Sequence, residues 1–162
     1  MISKILSFDW ALLFFWIMAT TWGWLLGNLL LSGLALVTSG LFVGLFQWLV
    51  LQGRLLRAWR WIIATSAGWL AGYLTTLFLL PQELEGLAIG LTTGIAQWMI
   101  LRREFQWAGW WIIFSTIGWT TGLTLLPGIL LTGTMAGALT GICLEVLLRL
   151  PKTKTIAASP SL

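Results

Sequence analysis

Long apolar stretches alternate with short polar or helix-breaking punctuation along this chain. By length they predict six apolar helices, over about 8–30, 34–53, 58–80, 86–103, 107–127 and 129–149. Each is close to the run of about 20 residues that crosses the hydrocarbon core of a bilayer. The punctuation is Ser32-Gly33, the link from Arg54 to Arg60, Pro81-Gln82-Glu83, Arg102-Arg103-Glu104 and Pro127-Gly128. Proline removes a backbone donor and glycine raises the entropy lost on folding, so both end helices. The expected fold is an all-α integral membrane protein. Its six transmembrane helices form three pseudo-repeated hairpins in one domain over 1–150, and a polar tail over 151–162 is expected to be mobile. The first stretch reads as a retained span, not a signal peptide. It has no small-residue cleavage site, and its apolar pattern continues through Gly23 and Gly27.

The hairpin pattern repeats. Residues 44–72 (GLFQWLVLQGRLLRAWRWIIATSAGWLAG) recur at 94–122 (GIAQWMILRREFQWAGWWIIFSTIGWTTG), with identity at 11 of 29 positions. Each copy holds the end of one helix, a basic link and the start of the next. In the sixth stretch the matching place reads as Leu144-Glu145, where the repeats carry Gln-Trp. Glycines four apart mark every stretch, among them Gly23/Gly27, Gly68/Gly72, Gly118/Gly122 and Gly133/Gly137. Lipid provides no hydrophobic drive between helices, so such small-residue faces predict the inter-helix seams.

Charge adds orientation. If the connections are assigned alternately to two sides, all nine basic residues fall with the two termini, and the opposite side carries only Glu83 and Glu85. The positive-inside rule then places both termini in the cytoplasm. Arg54, Arg57, Arg60, Arg102, Arg103, Glu145 and Arg149 are expected at that membrane interface. Glu145 has Arg149 one helical turn on, which predicts an i,i+4 pair. Asp9 near Lys4, and Glu104 beside Arg102 and Arg103, read as further interfacial pairs.

Composition agrees and narrows the chemistry. The chain is 59% hydrophobic and 9% charged, with a mean hydropathy of +0.94, whereas soluble domains carry about 25% charge. Histidine is absent and there is one cysteine, so metal, disulfide and proton-shuttle chemistry lack their usual groups. No catalytic constellation or phosphate loop is present, and the basic links are too short for nucleic-acid recognition. The chain reads as a non-enzyme with no catalytic or metal site and no nucleic-acid partner.

Candidate ligand contacts remain. Trp10, Trp48, Trp59, Trp61, Trp98, Trp107, Trp110 and Trp111 read as an aromatic belt at the basic interface. Trp24, Trp69 and Trp119 each follow a glycine near mid-membrane, one per hairpin, as core filling or as a cradle for a flat apolar ligand. Gln47 and Gln97 sit in matching QW pairs. In lipid such amides find a partner across a seam, coordinate a porphyrin-type centre, or line a small polar cavity.

These residues also carry a resemblance. Gln47-Trp48 through Leu51, Gln97-Trp98 through Arg102, Ala108 to Trp111 and Gly118-Trp119 resemble an uncharacterised family of cyanobacterial Trp/Gly-rich multi-pass membrane proteins. The last stretch, 133–151, is similar to that family's final span, with Glu145 where an apolar residue or tryptophan is expected. The resemblance implies a cyanobacterial thylakoid or plasma membrane and no activity. The first expectation is an accessory or assembly subunit of a larger membrane complex, in a photosynthetic setting. Its partners would be the lipid bilayer and other membrane-protein subunits, with chlorophyll or carotenoid as candidate cofactors. The alternatives are a passive permease for an uncharged solute, with a hydrated path along Gln47, Gln97 and Asn28, and a sensor module whose arginine links bind a soluble signalling partner.

Overall fold

The structure, a computed structural model, describes residues 8–29, 35–126 and 128–152. It is all-helical, and among the described residues the only β feature is an isolated bridge between Phe105 and Pro151. The helices are α1 (Trp10–Leu29), α2 (Ala35–Leu51), α3 (Arg60–Leu79), α4 (Glu85–Leu101), α5 (Trp110–Thr120) and α6 (Ile129–Leu148). A single 3-10 turn, Gln82–Leu84, leads into α4. Four stretches of 20 residues, Trp10–Leu29, Arg60–Leu79, Gln82–Leu101 and Ile129–Leu148, are long and apolar enough to cross a membrane. At 1.5 Å per residue each is about 30 Å long. The proposed breaks at Ser32-Gly33 and Pro127 lie outside the described residues, as do Lys4 and the tail from 153 onward.

The fifth stretch departs from a plain helix. After Thr120 the chain widens into a π-helical segment, Thr121–Leu125. There the Thr132 hydroxyl of α6 donates to the Gly122 carbonyl at 2.7 Å. A side-chain donor at a helical carbonyl favours such a local change of hydrogen-bond register.

Each helix packs against its neighbours in sequence, and α6 returns to pack on α1, closing a ring. Glycine makes every seam of that ring. A Cβ added at Gly23 would lie 2.6 Å from Val43 Cα, and one at Gly27 2.5 Å from Ser39 Cα. The same registers recur as Gly68 on Thr93 and Gly72 on Ile89, then as Gly118 on Ala136 and Gly122 on Thr132. The alternate seams use the even helices: Gly40 and Gly44 meet α3, Gly90 and Gly94 meet α5, and Gly133 and Gly137 meet α1. In every seam one residue number rises as its partner falls, so all neighbours are antiparallel.

Those contacts define three equivalent sectors. On the odd helices Trp16, Trp61 and Trp111 correspond. On the even helices Gly44, Gly94 and Gly137 each face the same isoleucine position, Ile62, Ile112 and Ile17. This corrects the expected alignment of the sixth stretch. Gln47 and Gln97 correspond to Thr140, while Leu144 corresponds to Leu51 and Leu101, all three fully buried. The α5–α6 connection is shorter than its counterparts, and this shifts the register.

The outside of the ring is as apolar as its centre. Phe14, Leu49, Ile63, Leu91, Ile113 and Leu131, one from each helix, are exposed. Exposed apolar surface on every side suits lipid or partner helices, and not water.

Candidate functional site

The axis of the ring is filled by two tiers of tryptophan. In one tier Trp24, Trp69 and Trp119 meet with centroids 5.8, 6.1 and 4.7 Å apart. In the other, Trp16, Trp61 and Trp111 meet edge to face at 5.9, 6.0 and 5.4 Å. Such arrangements set a ring's positive edge against its neighbour's negative face. Only the first tier was anticipated. Trp61 and Trp111 were expected in the interfacial belt, yet both are 0% exposed. The positions 61, 65, 68/69 and 72 share one face of α3, so the stripe that carries Gly68 and Gly72 to a seam also turns Trp61 inward. Trp10, Trp59, Trp107 and Trp110 do lie exposed on the outside, while Trp48 and Trp98 pack half-buried against the core.

A hydrogen-bond relay ties the Trp16 tier to all three sectors. Trp61 Nε1 donates to Gln47 Oε1 at 2.9 Å, and Gln47 Nε2 donates to Thr20 Oγ1 at 3.0 Å. One sector on, Trp111 Nε1 donates to Gln97 Oε1 at 2.8 Å, and Gln97 Nε2 donates to Thr65 Oγ1 at 2.8 Å. Each glutamine therefore bridges the helix before it and the helix after it. In the third sector Trp16 Nε1 donates to Thr140 Oγ1 at 2.9 Å. Thr140 gives its own hydrogen to the Ala136 carbonyl of its helix at 2.6 Å, so it reaches only one neighbouring helix, and Ser115 turns instead to the Gly90 carbonyl at 3.0 Å. The amides of Gln47 and Gln97 are thus engaged with protein groups inside the ring.

The Trp24 tier is less satisfied. The indole nitrogens of Trp24 and Trp69 and the hydroxyls of Thr93 and Thr120 are buried without a hydrogen-bond partner. Asn28, half-buried above Trp24, donates to the Trp24 carbonyl and to Ser39 Oγ at 2.8 and 3.2 Å. The tier offers flat apolar surface, and its rings already lie against one another.

At the basic end, links 52–59 and 102–109 fold under the ring, and Leu55, Ala58, Phe105 and Ala108 join the buried cluster around Trp61 and Trp111. Glu145 is buried there and pairs with Arg149, as its spacing predicts. It also accepts the Asp9 backbone N–H at 2.8 Å, which secures the start of α1. The expected partner of Asp9, Lys4, lies outside the described residues, and the expected Glu104 pair differs. Asp9 meets Arg54 at 3.5 Å and caps α1 through Leu12 N–H at 2.9 Å. Glu104 makes no ion pair among the described residues and accepts the Leu56 N–H at 3.1 Å. Burial pushes the Glu104 carboxyl above its ordinary range, and that hydrogen bond opposes the shift. The tail's first residues are docked: Lys152 N–H donates to the Glu104 carbonyl at 2.8 Å and Lys152 Nζ to the Arg102 carbonyl at 2.6 Å. Arg102 also lies over the Trp98 ring, 4.9 Å from its centroid.

No group of three or more His, Cys, Asp or Glu able to hold a metal occurs among the described residues. Fold and site together define an all-helical bundle with membrane-length apolar helices and a tryptophan-rich axis. Comparison with family models, curated proteins and solved structures finds no match.

Proposed function

We propose that this chain is an integral membrane protein of six spans with both termini on the cytoplasmic side. We further propose that it serves as a non-catalytic accessory or assembly subunit of a larger membrane complex. The observation that carries this reading is the filled axis. Six indole rings occupy the centre, and the glutamines and threonines around one tier bond to protein groups. A permease would need a hydrated path through Gln47 and Gln97, which are bonded to tryptophan and threonine. What the bundle offers is its outside, a rigid apolar cylinder with Trp22 and Phe78 among its exposed side chains. The orientation rests on the basic residues of the links at 52–59 and 102–109, by the positive-inside rule. The photosynthetic setting, with chlorophyll or carotenoid bound on that outer face, rests on the family resemblance alone.

Native gel electrophoresis of mildly solubilised membranes, with a tag on the C-terminal tail, tests the reading. Co-migration with a large assembly is expected, and a visible absorption spectrum of the band reports pigment. Migration as a small colourless species would overturn it.

A further inference from the structure

On the outside of the ring, at its basic end, two grooves occupy equivalent places in successive hairpins. One lies between α3 and α4 with a volume of about 850 Å³, the other between α5 and α6 with about 510 Å³. The sector alignment maps their linings onto each other: Ala64 onto Phe114, Met99 onto Ile142 and Ile100 onto Cys143. The rims are opposite in character. Arg57 and Arg60 of the first become Trp107 and Trp110 of the second; Arg103 and Glu104, in the link after α4, complete the first rim, where α6 runs on through Val146 and Leu147 in the second. The fold accepts tryptophan at the places of Arg57 and Arg60, so packing does not demand those arginines.

None of the three guanidiniums forms an ion pair among the described residues, although Glu104 shares their rim. Among the described residues the ion pairs are Arg54 with Asp9 and Arg149 with Glu145. Arg60 has only the Trp59 ring, 5.8 Å from its centroid. Arg57 is held at φ 56°, a left-handed conformation that a non-glycine residue rarely adopts. Its counterpart Trp107 does not adopt it. Behind the rim, Ala64, Ala67 and Ala96 keep the groove open where Phe114 narrows its twin.

We propose that the α3–α4 groove binds one anionic phospholipid. Its phosphate lies among Arg57, Arg60 and Arg103, and an acyl chain runs inward along the wall of Ala64, Ala67 and Ala96. The chemistry is complementary at both ends: three cations against one carboxylate at headgroup depth, and apolar surface below. The α5–α6 groove, uncharged, takes lipid tails or partner side chains without headgroup selection. The proposal rests on the membrane-spanning reading but not on the accessory-subunit role.

The test uses the full chain purified in detergent, with binding read by native mass spectrometry and by melting temperature. Phosphatidylglycerol, phosphatidylcholine and inorganic phosphate are added in turn. The wild type should retain phosphatidylglycerol over phosphatidylcholine. R57N/R60Q/R103Q should weaken that retention about tenfold or more, and A64F, which copies the twin groove, should weaken it with every arginine in place. R54Q/R102Q/K152Q removes the same charge outside the groove and should keep the preference. Equal loss in that control would overturn the proposal in favour of diffuse attraction. Phosphate acting as well as the lipid would overturn a lipid site, and so would a wild type with no preference. If the triple variant does not fold, R57N alone serves, since asparagine tolerates the left-handed backbone. The assay uses isolated protein, so its failure is separate from failure on the native gel.

Discussion

Trp16 donates its indole N–H to Thr140 at 2.9 Å, at the place where Trp61 and Trp111 donate to glutamine amides. The third sector thus keeps the acceptor and loses the bridge. The relay pairs three buried indoles, and its two bridging amides tie four of the six seams. Gln97→Leu should leave Trp111 N–H and Thr65 without their partner. In a membrane bundle such a loss costs about 0.6 kcal/mol on average and up to about 1.7. Thr140→Val, which removes one cross-helix bond and a bond within its own helix at constant shape, should cost less than Gln97→Leu, which breaks bonds to two neighbouring helices. Melting temperatures in one detergent check the order, and the reverse order would show that the amide bridge contributes nothing.

Much of the fold was legible because helix ends and seams obey local rules. The arginine links and Pro81 fall at described helix ends, and glycines four apart name the seams. The QW repeat named the two bridging glutamines, but not their partners. What escaped was equivalence without identity. Trp16 precedes Trp61 by 45 positions and not 50, and the first hairpin has no identical motif around it. In α6 the register follows Gly133 and Gly137, so Thr140 takes the glutamine place, although Leu144-Glu145 looked the better match by position. Space requires only an acceptor within reach of an indole, and either threonine or glutamine supplies one. Trp61 and Trp111 stand beside the basic links like the belt tryptophans, but the helical stripe they share with Gly68 and Gly118 turns them inward.

The two tryptophan tiers differ in one respect that substitution can isolate. Trp69 Nε1 is buried with no partner, whereas Trp61 Nε1 bonds Gln47. Phenylalanine removes similar volume at either place. Trp61→Phe also leaves the Gln47 amide oxygen short of a donor, while Trp69→Phe deletes a group that was already unpaired. Trp61→Phe should therefore be the more damaging by about 1 kcal/mol. Equal melting points would mean that the Trp61 bond is absent in solution.

The glycine seams predict a sharp contrast between two alanine substitutions. At Gly68 the new Cβ would lie 2.5 Å from Thr93 Cα and 2.9 Å from the Thr92 carbonyl, so two helix backbones must separate. At Gly109 nothing lies within 4 Å, and its φ of −60° and ψ of −29° suit alanine. Gly68→Ala should cost about 1–3 kcal/mol as an overpacked core, and Gly109→Ala should stay within about 0.5 kcal/mol. Gel filtration and thermal melts of the two variants separate them. A well-behaved Gly68→Ala protein would refute the close α3–α4 approach.

Glu145 holds three parts of the molecule with one carboxylate. It sits on α6, pairs with Arg149 one turn on, and accepts Asp9 N–H from the start of α1. Asp9 in turn meets Arg54 at the first link. A buried carboxylate that loses its partners is costly, but so is a neutral residue that leaves a guanidinium and a backbone donor unmatched. Glu145→Gln retains an oxygen for Asp9 N–H and forfeits the ion pair, whereas Glu145→Leu forfeits both. Both variants should loosen the start of α1, leucine more than glutamine, while the tryptophan tiers farther along the axis hold. Hydrogen–deuterium exchange reads this directly, with faster exchange at residues 9–13 and unchanged protection across 61–69. If 9–13 exchanged at the wild-type rate in Glu145→Leu, the cross-helix bond to Asp9 would have no role in closing α6 onto α1. That seam would then be held by its glycine packing and by the Trp16–Thr140 and Thr21–Thr134 hydrogen bonds.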